Sequence, residues 1–270
     1  MFYAMAENKI DLRGYRFEHR LEDIQTLNER ALRGELHISA ISIHAYADVS
    51  DRYALLPCGA SMGDGYGPII VTLNRSEFSS PTSDDEIREW LRNRTIAIPG
   101  RMTSAYLALQ LYLGQFEHTV VPFDEIFEAV KNGRAGAGLI IHEGQLTYAR
   151  SGFRKVVDLG EWWKRETRLP LPLGGNVLRK DIPLSVRRDL LAIMRESIDY
   201  GLTHREEAVR HSMPYARDMD TGLATKFIGM YVNDYTRDYG EKGRAAIREF
   251  LGAARRAGYI NRDIEVEFVE

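Results

Sequence analysis

Apolar residues along the chain switch repeatedly between helical and strand spacing. Over 21–32, Leu21, Ile24, Leu27, Ala31 and Leu32 fall mostly three or four apart, as on one helical face, and Gly34 supplies the stop. Leu36, Ile38, Ile41 and Ile43 then mark a β-rich run over 36–45 whose alternation slips once near Ala40. Residues 67–73 are almost wholly apolar and predict a short strand covered on both faces. Residues 74–86, polar with a serine cluster around Pro81, read as a loop. Asp84 or Asp85 is placed to cap a short helix carrying Ile87, Trp90 and Leu91.

The alternation continues with a strand over 95–98, stopped by Pro99-Gly100, and an apolar helix over 104–114. A strand over 119–121, a helix over 123–132 and strands over 137–141 and 155–158 follow. Ser185 is expected to cap a helix in which Val186, Leu190, Ile193, Met194 and Ile198 recur at helical spacing. Two more helices are expected over 224–235 and 241–257, before Ile264, Val266 and Phe268 alternate as a half-buried strand. This order predicts an α/β protein with mainly parallel strand pairing. Lobe boundaries are expected near Thr95 and in the run 174–178. They give an outer lobe of residues 1–95 plus 178–270 and an inserted α/β lobe of 96–177. Two crossings between lobes imply a hinged central cleft.

Composition narrows the function classes. The chain has 270 residues, ordinary apolar and charged fractions, and a net charge of -3, so no global basic field invites nucleic acid. Cys58 is the only cysteine, which excludes an intrachain disulfide and a cysteine-based zinc knuckle. No apolar run approaches the roughly 18 residues of a membrane span, and the first residues do not read as a signal peptide. A cytoplasmic, soluble protein is expected.

Candidate chemistry gathers where predicted strands end. The segment 137–145, AGLIIHEGQ, is an apolar strand stopped by a histidine, an acid and a glycine. Ligands of open sheets collect at the C-terminal ends of strands, so His142 stands where a general base is useful. A lone histidine there is also commonly a hydrogen-bonded structural residue. Pro99-Gly100-Arg101-Met102-Thr103-Ser104 joins a strand to a helix. The helix start offers amides and a positive dipole end to a carboxylate or phosphate, Thr103 and Ser104 add hydroxyls, and Arg101 adds a cation. Ordinary capping explains Thr or Ser there equally well. The glycine-rich run 59–68 precedes a strand and has the wrong spacing for a dinucleotide fingerprint, so it reads as a tight turn or a close backbone approach. If the strand holding Ser42 and His44 ends at the cleft, the two share a face. Trp162-Trp163 reads as packing, and Glu196, Asp199, Arg205, Glu206 and Glu207 as a solvated helix face.

Together these segments resemble the 1,4-dihydroxy-6-naphthoate synthase family of the futalosine route to menaquinone. The matching stretches are SIHAYADVSDRYALLPCGASMGDGYGPIIV, IAIPGRMTSAYLAL, VPFDEI, AGLIIHEGQLTY, VVDLGEWWKRETRLPLPLGGNVLRKD and YVNDYTRDYGEKGR, spread from Ser42 to Arg244. LIIHE followed by DLGEWW and LPLPLG is the most specific combination. The resemblance implies a two-lobed periplasmic-binding-protein-like fold of type II, used as a carbon–carbon lyase. Its substrate is cyclic dehypoxanthine futalosine, released as 1,4-dihydroxy-6-naphthoate and a small dihydroxy ketone. By position, His142 matches the family's proton acceptor, and Ala40, Ile41, Ser42, Thr103, Ser104 and Ala105 match its substrate-contacting segments. Because aromatisation drives the step, no cofactor or metal is expected, and the partner is a small molecule rather than nucleic acid or membrane. In that family a first strand and an S-x-C-P-N-D-T loop precede the helix whose later part matches Met1 to Met5. This chain begins inside that helix, so a central strand and a cleft loop are expected to be missing, with impaired folding or activity. A cytoplasmic solute-binding protein of the same fold and the sister chorismate dehydratase are the alternative readings.

Overall fold

The computed structural model describes residues 1–74, 83–215 and 220–270. Most of the serine-rich loop around Pro81 lies outside the described residues. The apolar runs form strands β1 (Ile38–Ser42), β2 (Tyr53–Leu55), β3 (Ser61–Gly63), β4 (Ile69–Leu73), β5 (Ile96–Ile98), β6 (His118–Val120), β7 (Ala137–Ile140), β8 (Phe153–Asp158) and β9 (Leu171–Arg179). They build a four-stranded sheet, β1-β9-β2 with β3 also on β9, and a five-stranded sheet in the order β6-β5-β7-β4-β8.

The chain folds into two compact units. One comprises Met1–Met62, Pro172–Arg248 and Asp263–Glu270, the other Gly63–Leu171 and Glu249–Arg262. The second unit therefore starts ahead of β4, upstream of the boundary expected near Thr95, and the chain passes between units four times (after 62, 171, 248 and 262) rather than twice. In the first unit, Leu178 of β9, Ala54 and Leu56 around β2, and Ile193, Met194 and Ile198 of helix Leu184–Thr203 share one core. In the second, Ile69 and Val71 of β4 pack with Ala97, Ile126, Ile140 and Phe153. Helix Ser104–Leu113 is apolar on nearly every face and correspondingly buried, as such helices must be.

Strand direction departs from the mainly parallel pairing expected. β1 and β2 both pair antiparallel with β9, and β4 pairs antiparallel with β7 and β8. Parallel pairing joins β5 to β6 and β5 to β7. The expectation treated each helix between two strands as a crossover joining sheet neighbours. Instead β9 returns late in the chain to separate β1 from β2, and β4 inserts between β7 and β8. Glycine obscured β9, because the run beginning Gly174-Gly175 reads as a lobe boundary. Gly175 is required inside the strand: a Cβ there stands 2.6 Å from the Tyr239 hydroxyl oxygen.

Other elements shift for local reasons. The strand expected through Ala45 stops at Ser42, and helix Ile43–Val49 follows with Ile43, Tyr46 and Ala47 buried at helical spacing. Ser83, not Asp84 or Asp85, caps helix Asp84–Arg92 by accepting from the Glu86 amide at 3.3 Å. The two aspartates sit in its first turn, where the helix dipole favours them. Ser185 lies inside a helix that begins at Leu184 after Pro183. The expected C-terminal strand is a single bridge, Leu55 to Phe268. Trp162 and Trp163 pack edge-on against Tyr112 and Phe250, as the packing reading holds. Glu196 and Asp199 on the charged face hold ion pairs with Arg13 and Arg237.

The DLGEWW segment starts helix Leu159–Thr167, capped by Asp158, whose carboxylate accepts from the Gly160 and Glu161 amides at 2.8 and 3.1 Å. Gly160 has no room for a side chain, since a Cβ would lie 2.0 Å from the Tyr66 carbonyl oxygen. Burial pushes the Asp158 carboxyl up to about 6 against the pull of those amides. A folded-state value above the unfolded one means that the native state holds the proton longer, so stability falls as pH rises through roughly 4 to 6. Asp158→Asn keeps the capping oxygen and removes the charge. It is expected to match the wild type near pH 4 and to exceed it by up to about 3 kcal/mol above pH ~7. Urea midpoints at the two pH values check this; a variant less stable at the higher pH refutes it.

Candidate active site

β6, β5 and β7 are neighbours and run parallel, so their C-terminal ends leave the sheet along one edge. Three segments singled out in the sequence follow those ends. Phe123 comes after β6, Thr103, Ser104 and Ala105 after β5, and His142 after β7. This is where parallel strands present ligands with helix starts and loop residues.

His142 stands two residues beyond β7, its side chain 15% exposed. Phe123 and Phe127 meet its ring edge-on, with centroids 5.7 and 5.9 Å away. The Gly144 amide donates to Nδ1 at 3.0 Å, which places the proton of a neutral ring on Nε2. Gly144 and Gln145 of the H-E-G-Q run also have local roles. The buried Gln145 side chain donates to the carbonyl of Ile140 at 3.2 Å and ties the turn to the strand end. At Gly144 a Cβ would stand 2.7 Å from Cε1 of His142 and 2.8 Å from the Phe127 ring, so glycine lets the imidazole lie against its own turn.

After β5, Thr103 caps helix Ser104–Leu113. Its hydroxyl accepts from the Tyr106 amide at 3.1 Å and donates to the carbonyl of Gly100 at 2.9 Å, and its carbonyl takes the Leu107 amide. The Thr103 hydroxyl, expected to face an anion, is thus engaged in the cap. Ser104 and Ala105 head the helix, where backbone amides and the dipole favour negative charge. Arg101 donates from Nε to Nε2 of His118 at 3.2 Å, beside the Tyr106 ring, so it is directed to a histidine rather than to the helix start.

Ala40, Ile41 and Ser42 belong to the other unit, on β1. Ile41 and Ser42 are buried and Ala40 is half-buried. Ser42 and His44 do not share a strand face, because the chain turns helical at Ile43. The sequence reading missed Asn28. Fully buried, it receives the Ser42 amide on Oδ1 at 2.8 Å and donates from Nδ2 to the Ser42 hydroxyl at 3.0 Å. The available signal was a polar residue four positions after Ile24, on the apolar face of helix Ile24–Leu32. Asn28→Ala strands the buried Ser42 amide and is expected to cost about 1–3 kcal/mol. Denaturant unfolding checks it, and a loss below about 0.5 kcal/mol shows that the pair is dispensable.

The glycine-rich run 59–68 approaches the chain itself. A Cβ at Gly59 would collide with the Asn176 amide, which donates to the Gly59 carbonyl at 3.1 Å. Among the described residues no three His, Cys, Asp or Glu side chains are grouped to hold a metal ion. No helix among them is long and apolar enough to cross a membrane.

The menaquinone biosynthesis family model matches residues 1–256. A 1,4-dihydroxy-6-naphthoate synthase from Thermus thermophilus is 37% identical over 258 residues, 96% of this chain and 90% of that protein. A crystal structure of an Archaeoglobus fulgidus protein aligns with a TM-score of 0.88 at 43% identity, over 96% of this chain and 93% of that one. A Candida albicans gene product described as having the generic periplasmic binding protein fold aligns with a TM-score of 0.62 at 13% identity, over 88% of this chain and 78% of that one. The last likeness shows the fold alone, and it is the periplasmic-binding-protein-like fold that the resemblance implies. By the family match and the extent of its identity to the Thermus enzyme, the chain belongs to the menaquinone biosynthesis family.

Proposed function

We propose that this chain is a 1,4-dihydroxy-6-naphthoate synthase, a lyase that cleaves cyclic dehypoxanthine futalosine to 1,4-dihydroxy-6-naphthoate and a small dihydroxy ketone. The observation that carries the reading is the edge shared by β6, β5 and β7, where a histidine, a helix start and an aromatic pair follow neighbouring parallel strands. Similarity to the Thermus enzyme over nearly the whole chain supports the choice of reaction.

The parts suit the chemistry. The substrate's aromatic carboxylate needs an anion site, and the amides of Ser104 and Ala105 at the head of a ten-residue helix offer one. Thr103 fixes that end by capping it. Carbon–carbon cleavage needs a group to take a proton, the role assigned to His142. Phe123 and Phe127 exclude water from one side of its ring, which strengthens polar interactions there. The reading includes a small-molecule substrate, a cytoplasmic location and no nucleic-acid or membrane partner.

Incubation with cyclic dehypoxanthine futalosine, followed by chromatography, is expected to yield 1,4-dihydroxy-6-naphthoate. Binding without product makes the chain a solute-binding protein, and consumption of chorismate instead makes it the sister dehydratase. Either outcome overturns the proposal.

A further inference from the structure

Nδ1 of His142 lies between a donor and an acceptor contributed by the next two residues. The Gly144 amide points at it from 3.0 Å, and Oε2 of Glu143 stands 3.7 Å away. Neighbouring residues on a strand face opposite sides, but β7 has ended at Ile140 and Glu143 is helical (φ -55, ψ -18), so both side chains are presented together. The pair is largely shielded, with His142 15% and Glu143 23% exposed. Phe123 and Phe127 bring no charge to the ring. The charged residues of the segment they belong to are Asp124, Glu125, Glu128 and Lys131, and the last two pair with each other at 2.8 Å.

One nitrogen cannot satisfy both neighbours at once. When Nδ1 accepts from Gly144, a neutral ring carries its proton on Nε2 and that atom is a donor. A base acting through Nε2 needs the other tautomer, with the proton on Nδ1 and an acceptor beside it. We propose that Glu143 is a positioning residue for His142: its carboxylate accepts Nδ1–H and so makes Nε2 the proton-accepting nitrogen. This rests on His142 being the base of the proposed reaction. In the step itself the proton leaves the substrate for Nε2 and the bonding electron pair stays with the substrate. Nδ1–H remains on the ring, and Glu143 remains an anion beside the imidazolium. Gly144 and Glu143 are thus alternative partners of one atom, and the second defines the reactive state.

Nitrogen-15 NMR of the imidazole, assigned with His142→Gln, reads the tautomer and titration directly in the absence of substrate. In Glu143→Gln the Nδ1–H tautomer is expected to decline and the titration midpoint to move to lower pH by about one unit, because a neighbouring anion favours the charged ring. The acid limb of kcat/KM is expected to move the same way, with kcat down at least about tenfold and KM nearly unchanged. Glu143→Asp is expected to recover part of both. An unchanged tautomer and titration in Glu143→Gln overturns the proposal, even if activity falls. Absence of turnover in the wild type instead removes the lyase reading, while the NMR measurement still decides whether the two side chains are coupled.

Discussion

His142→Ala is expected to lower production of 1,4-dihydroxy-6-naphthoate by about 10²–10⁴-fold, the contribution typical of a positioned general base. Ligand affinity should change little, because the contact proposed for the substrate's carboxylate lies at the helix start after β5. The substitution is structurally mild. The ring sits after the end of β7 against Phe123 and Phe127 and is not itself part of the core around Ile140. Its removal leaves the Gly144 amide without that acceptor, so His142→Gln, which restores an oxygen acceptor without a base, serves as the companion variant. Loss of turnover in both variants, with unfolding midpoints near wild type, fits a base. Turnover within about tenfold of wild type in either one removes His142 from that role, since so small a loss is below what a general base supplies.

The sequence made this edge of the sheet legible because its signals are local. Apolar runs ending at Pro99-Gly100 and at His142 mark strand ends, and both strands occur close to where expected, as β5 and β7. What stayed hidden depends on partners distant in the chain. Gly174-Gly175 resembles a lobe boundary until Tyr239 is seen to occupy the space of the absent side chain. Asn28 looks like a blemish on an amphipathic helix until Ser42 is placed beside it. The roles of Thr103 and Arg101 shifted for a related reason: residue type supplies a donor, but the cap and His118 decide where it goes. Strand direction was misjudged because periodicity reports which face is buried, not which neighbour a strand finds.

Gly144→Ala is expected to reduce turnover by about 10²-fold with little effect on folding. The backbone tolerates alanine, because Gly144 is not among the glycines at positive φ and it begins helix Gly144–Thr147. The cost falls on the added methyl, which would lie 2.7 Å from Cε1 of His142 and 2.8 Å from Cε2 of Phe127. One of the two rings must move. Phe127 is held by Phe153 at 4.6 Å between centroids, within the core of its unit, whereas the imidazole sits at the end of a turn. The imidazole is therefore the ring that gives way, and displacement of a reacting group by about 1 Å can cost 10²-fold in rate. Phe127→Leu makes room on the other side, so the double variant Gly144→Ala/Phe127→Leu is expected to recover part of the lost kcat, a coupling that two independent lesions would not show. Strictly additive losses in that cycle, or a Gly144→Ala enzyme as fast as wild type, would mean that the glycine does not set the position of His142.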